Sequence, residues 1–565
     1  MGHSGTVATP SISSVGPSSR KARGAFFTPD PLARFLADWA ISSPADRVLE
    51  PSCGEAAFLL AATRRLAALG VAVNDQAPAQ VDGIELHPAS AQMARDLLQA
   101  EGADASIRVS DFFAVEPTGS YDAVIGNPPY VRYQDFSGEA RARSRQAALR
   151  AGVPLTNLAS SWAAFTVHAS LFLRPGGRLA LVLPGELLTV NYAAGIRRLL
   201  MDKFAHVNLV LFEERVFPGV LEEVVLLMAD GYRRGPTDHC RIYQARTAAD
   251  LSTAIAPRLW RPDHPESKWT PSLLSADALA AYAALAASQD FSPLQTWGET
   301  TLGMVTGNNR YFALTAQRIT ELQLQAPDLI RLSPPGSRHL RGLSFTQSAL
   351  TELGQNGSAT WLFRPPGEPS QAARSYIVTG EAAAVHQAYK CRVRDPWWRV
   401  PLVPPADLLL TYMNADTPRL CTNRAQAHHL NSVHGVYLKA SLRRLGMDLL
   451  PVAALNSMTL LAAETVGRAY GGGMLKLEPK EADDLLVPSP ALITAAAEAL
   501  TNIRPQMATH LRNGRLLEAA QLVDTILLVG ELGISRSAIR ALREGHADMT
   551  ARRVARGSSP RGANR

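Results

Sequence analysis

Two consecutive prolines placed directly after a short apolar run, Tyr121-Asp-Ala-Val-Ile-Gly126, constrain this chain more than any other feature. The run reads as a buried strand. Pro128 and Pro129 must end it, because each locks φ and removes a backbone donor. A buried strand stopped by a rigid loop fits an open α/β sheet, where ligands bind at the carboxyl edge. Asn127 adds an amide oxygen to this loop, the prolines leave their carbonyls free to accept, and Tyr130 adds a flat aromatic face. The set suits a planar substrate with an exocyclic NH2. The Asn127 amide oxygen and the Pro128 carbonyl would each accept one N–H while the ring stacks on Tyr130. The plain alternative is a proline-rich turn after a strand.

What precedes this loop favours the first reading. Asp46-Arg-Val-Leu-Glu50 is a short strand, followed by the turn Pro51-Ser52-Cys53-Gly54 and a helical stretch from Glu55. Strand, small-residue turn and helix form the first unit of a doubly wound sheet. A second strand ends at Ile84-Glu85 and a third at Asp111. Glu50, Glu85 and Asp111 thus end three successive strands, where carboxylates can accept ribose hydroxyls or an amino group. Any one of them alone would read as a helix cap or a solvated loop acid. Ahead of these, Thr28 can cap a helix with Leu32, Phe35, Leu36 and Trp39 on its apolar face.

After Tyr130 comes a basic loop containing Arg132, Arg141, Arg143, Arg145 and Arg150. Ser160 to Leu173 reads as an amphipathic helix stopped by Pro175-Gly176-Gly177. Strands follow over 178–183, 207–212 and 223–228, and the last two are joined by Arg215-Val-Phe217-Pro218-Gly219. At 565 residues, two or three domains are expected. Composition places a disordered tail over 1–20, an α/β domain over 21–244 and a connector over 245–300. A mixed α+β domain follows over 301–488, then a helical segment over 489–545 and a basic flexible tail over 546–565 that carries Arg552, Arg553 and Arg556.

The mixed α+β domain over 301–488 is rich in Asn, Arg, His and Trp. Asn308, Asn309, Arg310 and Arg424 are its candidate base-reading side chains, with turn capping and surface solvation as the alternative. A net charge of +7 is compatible with a nucleic-acid partner. The four cysteines, Cys53, Cys240, Cys391 and Cys421, form no CxxC pair, which argues against a zinc site and fits a reducing cytoplasm. No apolar run approaches the roughly 18 residues of a membrane span, and no secretory signal is visible.

In this order the motifs resemble the gamma-type adenine-N6 DNA methyltransferases of bacterial restriction–modification systems. The matching residues are Thr28-Pro29, Glu50-Pro-Ser-Cys-Gly54, Glu85, Asp111-Phe112 and Asn127-Pro-Pro-Tyr130, with looser matches at Thr306-Gly-Asn308 and Gly471-Gly-Gly-Met-Leu-Lys476. The resemblance implies a Rossmann-like methyltransferase sheet followed by a target-recognition domain. S-adenosylmethionine would be the cofactor and double-stranded DNA the substrate. Thr28 and the Glu50 to Gly54 turn (Pro51, Ser52 and Cys53 included) would line the cofactor together with Pro128. Glu85 would take the ribose hydroxyls, Asp111 the adenine amine, and Phe112 would pack on that adenine. Phe217 would hold the second face of a target adenine flipped against Tyr130. One departure is Ala56, where the family's turn often has a second glycine.

Rival readings remain from other classes. Asn-Pro-Pro-Tyr also serves methyltransferases acting on RNA bases or on protein glutamine, although those chains usually lack so large a second domain. A non-catalytic DNA-binding module with a decayed site is another. A fused restriction–modification enzyme is disfavoured, since the stretch before Thr28 is too short for a nuclease domain. Any cognate restriction endonuclease is therefore expected on a separate chain.

Overall fold

The computed structural model describes residues 28–71, 79–131, 135, 138–212, 224–252 and 256–557. They divide into two units, Met1–Ser272 and Leu273–Arg565. In the first unit, apolar runs rich in Val, Ile and Leu fold as strands that are buried at the centre of the sheet and more exposed at its two edge strands, Ser106–Val109 and Arg258–Trp260. These are β1 (Val48–Glu50), β2 (Val81–Glu85), β3 (Ser106–Val109), β4 (Tyr121–Gly126), β5 (Leu173–Pro184), β6 (His206–Phe212), β7 (Val224–Asp230), β8 (Cys240–Ala245) and β9 (Arg258–Trp260). They make one sheet in the order β3-β2-β1-β4-β5-β7-β6-β8-β9. The first five strands run parallel, and β7 lies antiparallel between β5 and β6. The chain builds outward from β1 through β2 to β3, then returns to lay β4 and β5 on the other side. The order reverses between β1 and β4, and at such a switch point the carboxyl ends of the strands leave a crevice.

The helices fix that crevice from beneath. The helix Asp30–Ala40 buries Leu32, Ala33, Leu36, Ala37 and Ala40 in the same core as Val48, Leu59, Val81 and Ile125, with Phe35 and Trp39 packed partly buried at its margin. The helix Ala57–Ala68 follows the β1 turn and contributes Phe58, Leu59 and Leu66. Gly83 in β2 shows how closely these elements pack. A Cβ there would lie 3.0 Å from Leu59 Cδ1 and 3.2 Å from Cys53 Sγ.

Several sequence expectations need correction. The Ser160 to Leu173 segment is a helix over Ser161–Ser170, but every residue in it is buried, so it has no polar face and is not amphipathic. Pro175-Gly176-Gly177 does not stop that helix. It lies inside β5, where a register shift against Tyr121 and Ala123 takes up the irregularity. The arginines expected in a loop after Tyr130 sit, from Gly138 on, in a helix over Gly138–Arg150. The sheet also runs past residue 244, because β8 pairs parallel to β6 and β9 antiparallel to β8. Part of the expected connector is therefore sheet, and the division falls at Ser272.

In the second unit the region expected to be mixed α+β contains a five-stranded sheet. Its order is Gly298–Leu302, Val433–Leu438, Leu408–Thr411, Leu420–Asn423, Ser344–Phe345. The helices Pro490–Ala495, Ala497–Arg512 and Leu516–Asp524 occupy the segment expected to be helical. The tail expected over 546–565 is instead helical as far as Gly557, in a helix that begins at Arg536. The physical reason is Arg553, which is 2% exposed and meets Glu464 at 2.8 Å. Arg553 also donates to the carbonyls of Ala415, Asp416 and Gly473. A buried guanidinium paired and bonded in this way holds its helix in place. Among the described residues, no single helix is long and apolar enough to cross a membrane.

Candidate functional site

The site is built where β1 and β4 end. Leu49 and Val124 are register partners, so the turn after Glu50 and the loop after Gly126 leave the sheet side by side. A Cβ on Gly126 would lie 3.5 Å from Pro51 and 3.6 Å from Glu50. The next residue, Asn127, donates from Nδ2 to the Thr28 hydroxyl at 3.2 Å. Its Oδ1 is buried and has no hydrogen-bond partner among the described residues. Thr28 was expected to cap its helix. The N-cap is Pro29, which supplies no side-chain bond, and the buried Thr28 hydroxyl is spent on Asn127 instead.

The rest of the loop is held from outside. The Pro129 carbonyl accepts from the Ser161 hydroxyl, whose oxygen in turn accepts from Val131 N–H at 2.9 Å. The Tyr130 hydroxyl donates to the Val182 carbonyl near the end of β5, at 2.8 Å. Pro128 is buried, while Pro129 and Tyr130 are half-buried. The tyrosine ring is thus tethered at its far end, beside an amide oxygen with unmet capacity.

The first two strand-end acids share the crevice. Glu85 Oε2 accepts from Gly54 N–H at 3.0 Å and its Oε1 from His87 N–H at 2.9 Å, which ties the β1 turn to the end of β2. Glu50 is buried, and burial holds its carboxyl well above the usual carboxylate range. The Leu59 backbone N–H partly offsets this, and neighbouring Glu85 adds to it. Glu50 Oε2 and Ser52 Oγ are buried without partners among the described residues. Cys53 is buried, and loss of solvent raises its thiol pKa, with Glu50 and Glu85 adding, so it is an inert thiol. Gly54 has φ +48° and open space where a Cβ would stand. Ala56, the N-cap of the following helix, has φ 67° and ψ 19°, a left-handed pose that costs an L-residue energy.

Asp111 lies at the third strand end and is already engaged. Its Oδ1 accepts from Phe113 N–H at 3.0 Å and its Oδ2 meets Arg143 Nη1 at 3.2 Å. Phe112 is 3% exposed and stacks on Phe165 and Phe172, with ring centroids 5.2 Å away in each case. Its faces are therefore used largely by the core. Arg132 and Phe217 lie outside the described residues.

The four base-reading candidates of the second unit are not equivalent. Asn308 caps a short helix by accepting from Tyr311 N–H at 3.2 Å, and Asn309 accepts from the Thr306 hydroxyl at 2.6 Å. Arg424 pairs with Asp448 at 2.5 Å. Arg310 is exposed, on the same short helix. Sequence reasoning missed two residues of the first unit that matter here, Ser161 and Arg143. Arg143 was visible only as one of several basic side chains. Ser161 reads locally as the start of a helix and carries no signal of its loop contacts.

An acceptor atom with unmet capacity, a pinned aromatic ring and buried carboxyls at a sheet's switch point can together hold one planar amine against a second, cationic molecule. Comparison with known proteins agrees with that chemistry. The N-6 DNA Methylase family model matches residues 11–254, and the model for the C-terminal domain of Type II methyltransferase M.Eco57I matches residues 266–528. The chain is 28% identical over 481 residues to Type II methyltransferase M.XamI of Xanthomonas campestris pv. amaranthicola, covering 82% of this chain and 85% of that one. It is 23% identical over 481 residues to Type II methyltransferase M.AccI of Acinetobacter calcoaceticus, covering 83% and 86% respectively. Among solved structures it resembles the Type IIL restriction-modification enzyme MmeI in complex with DNA, with TM-score 0.56 and 14% identity over 92% of this chain and 75% of that one. At that identity the likeness speaks for the fold alone.

Proposed function

We propose that the chain is a DNA adenine methyltransferase of a restriction–modification system, as its matches to the N-6 DNA Methylase model and to Type II methyltransferases support, and that it works on an adenine flipped out of duplex DNA into the Asn127–Tyr130 loop. The observation that carries this reading is the Asn127 Oδ1 atom, buried at the carboxyl end of β4 with no partner among the described residues. A buried acceptor left unmet costs about 1–3 kcal/mol, and a ligand N–H completes it.

Methyltransferases of this family use S-adenosylmethionine. The residues present fit it, since Glu50 Oε2 and Ser52 Oγ are buried and unpartnered among the described residues and Gly54 leaves open space at its own Cβ position. The Glu50–Gly54 turn would hold the methionine end, Glu85 the ribose hydroxyls and Asp111 the cofactor's adenine amine. Bound there, S-adenosylmethionine supplies a methyl group made electrophilic by a sulfonium.

The chain's own part is alignment. The amine of adenine is a weak nucleophile because its lone pair is delocalised into the ring. Asn127 Oδ1 and the Pro128 carbonyl accept its two N–H bonds, draw the nitrogen toward tetrahedral geometry and free that lone pair. Tyr130, tethered to Val182, offers a fixed face for the extruded base. Phe217 is the partner we assign to its other face. As the N–C bond forms and the C–S bond breaks, the nitrogen becomes acidic and its proton passes to water, so no strong base is needed. A cognate endonuclease, if the system has one, acts from a separate chain.

The test is to incubate the purified protein with S-adenosylmethionine and plasmid DNA, and then to sequence modified bases. N6-methyladenine at one recurring sequence is the expected result. Methylation of cytosine, or of RNA or protein but not DNA, would overturn the reading.

A further inference from the structure

A loop with two adjacent prolines has few backbone donors of its own, so its pose must be imposed by a neighbour. We infer that Ser161 is a positioning residue of the methyl-transfer site. It fixes the peptide groups on both sides of Tyr130 and thereby the face on which the target base stacks. The inference rests on the function proposed above and deepens it.

Ser161 is 2% exposed and makes three bonds to this loop. Its hydroxyl donates to the Pro129 carbonyl and accepts from Val131 N–H at 2.9 Å. Its own N–H donates to the Val131 carbonyl at 3.0 Å. One residue thus grips the chain immediately before and immediately after Tyr130. A hydroxyl has one donor and two acceptor positions, so a single serine can serve both neighbours at once.

The gripping residue is itself immobile. It stands in the first turn of the fully buried Ser161–Ser170 helix. The adjacent Trp162 is 0% exposed and donates from Nε1 to Glu186 at 3.0 Å and to the Tyr192 hydroxyl at 3.2 Å. The Tyr192 hydroxyl also donates to Glu186. Ser161 therefore transmits the position of a rigid helix to a loop that cannot anchor itself.

There is a second consequence for selectivity between acceptors. With the Pro129 carbonyl spent on Ser161, the Pro128 carbonyl and Asn127 Oδ1 are the pair assigned to the substrate amine. A variant that frees the Pro129 carbonyl lets the loop rotate and offers the amine a competing, misaligned acceptor. Misplacement of about 1 Å at a reacting centre costs on the order of a hundredfold in rate.

The experiment uses the full-length protein and three substitutions. Ser161→Ala removes the hydroxyl, Ser161→Cys keeps the volume with a weaker hydrogen-bonding group, and Ser161→Thr keeps the hydroxyl. Single-turnover methylation of duplex DNA should fall about 10- to 100-fold in the Ala and Cys variants, with S-adenosylmethionine affinity unchanged by calorimetry. Ser161→Thr should recover most of the rate. Wild-type rates in the Ala and Cys variants, cofactor affinity falling in step with rate, or a Thr variant no better than Ala would each overturn the inference. Should Ser161→Ala fail to fold, the Cys variant decides. Crystal structures of wild type and Ser161→Cys provide a readout independent of the reaction. A displaced Pro129–Val131 segment supports the positioning role, and an unmoved one removes it. If the wild-type protein methylated no DNA adenine, the proposed function would fail, and the crystallographic pair would still judge Ser161.

Discussion

The two asparagine-bearing loops of this chain, one in each unit, look alike as text and differ in one physical respect. In the second unit, Thr306, Asn308 and Asn309 satisfy one another and the adjoining short helix. Asn308 accepts from Tyr311 N–H, Asn309 accepts from Thr306, and the Thr306 hydroxyl accepts from Asn308 N–H at 3.2 Å. In the first unit, among the described residues, the Asn127 side chain is engaged through Nδ2 and its buried Oδ1 is left unmet. A fold gains nothing by burying an acceptor without a donor. At the end of β4, where the crevice opens, that unmet capacity separates Asn127 from Asn308 and Asn309, and composition alone does not make the distinction.

The largest expected effect follows directly. Asn127→Ala should lose at least about a hundredfold in methyl transfer, the scale of deleting one transition-state partner. Its folding stability should be unchanged or slightly raised, because a costly unmet acceptor goes with it. Single-turnover kinetics and thermal melting check the two halves together. A variant that melts early and transfers methyl groups at the wild-type rate would place Asn127 with Asn308, as a structural residue.

Glu50 extends the same contrast to a titratable group. Burial, with Glu85 adding, raises its carboxyl well above the ordinary range, so the free protein holds a proton there at pH values where an exposed glutamate would not. The cationic methionine end of the cofactor favours the ionised form. Binding should therefore expel that proton, and affinity should climb with pH, by up to about tenfold per unit, until the raised pKa is passed. Calorimetry in buffers of different ionisation heat measures the proton directly. Binding without proton release would show that Glu50 stays neutral and only fills space.

Much of the first unit was legible because its signals are local. Apolar runs, turn residues and acids at strand ends lie within a few positions of one another, and they place Glu50, Glu85 and Asn127 around one crevice. What could not be read depends on partners far along the chain. Ser161 is tied to Pro129 over 32 positions. Arg553 meets Glu464 over 89, which turned an expected flexible tail into a packed helix. The all-buried helix Ser161–Ser170 defeated a reading based on a 3.6-residue period, because a helix covered on every side has no polar stripe to reveal it. In the second unit the capping roles of Asn308 and Asn309 were available as turn chemistry. The outcome there was a matter of which alternative wins, and only the bonding geometry decides it.

A smaller effect tests the other half of the comparison. Asn308→Ala should cost about 1 kcal/mol of stability, the ordinary price of a lost N-cap, and methyl transfer on a fixed DNA site should fall less than in Asn127→Ala. Melting and rate measurements on the pair show whether the ranking holds. An Asn308 variant of normal stability that no longer discriminates between DNA sequences would return this residue to base reading.

The smallest effect lies beside the cofactor turn, at Ala56, where the catalytic unit carries strain instead of an unmet bond. An L-residue in the left-handed region is disfavoured by about 1–2 kcal/mol, and glycine escapes that. Against this, Ala56→Gly frees the unfolded chain by about 0.5–1 kcal/mol and gives up a buried methyl worth up to about 0.8 kcal/mol. The terms nearly cancel, so Ala56→Gly should melt within a degree or two of wild type. Ala62 is equally buried but sits in the regular part of the same helix, and there no strain is relieved. Ala62→Gly should lose about 1 kcal/mol or more. If the two variants melted equally early, Ala56 would carry no strain. If Ala56→Gly also tightened cofactor binding, the methyl group would be an obstacle at the turn, where open space beside Gly54 already leaves room for a ligand.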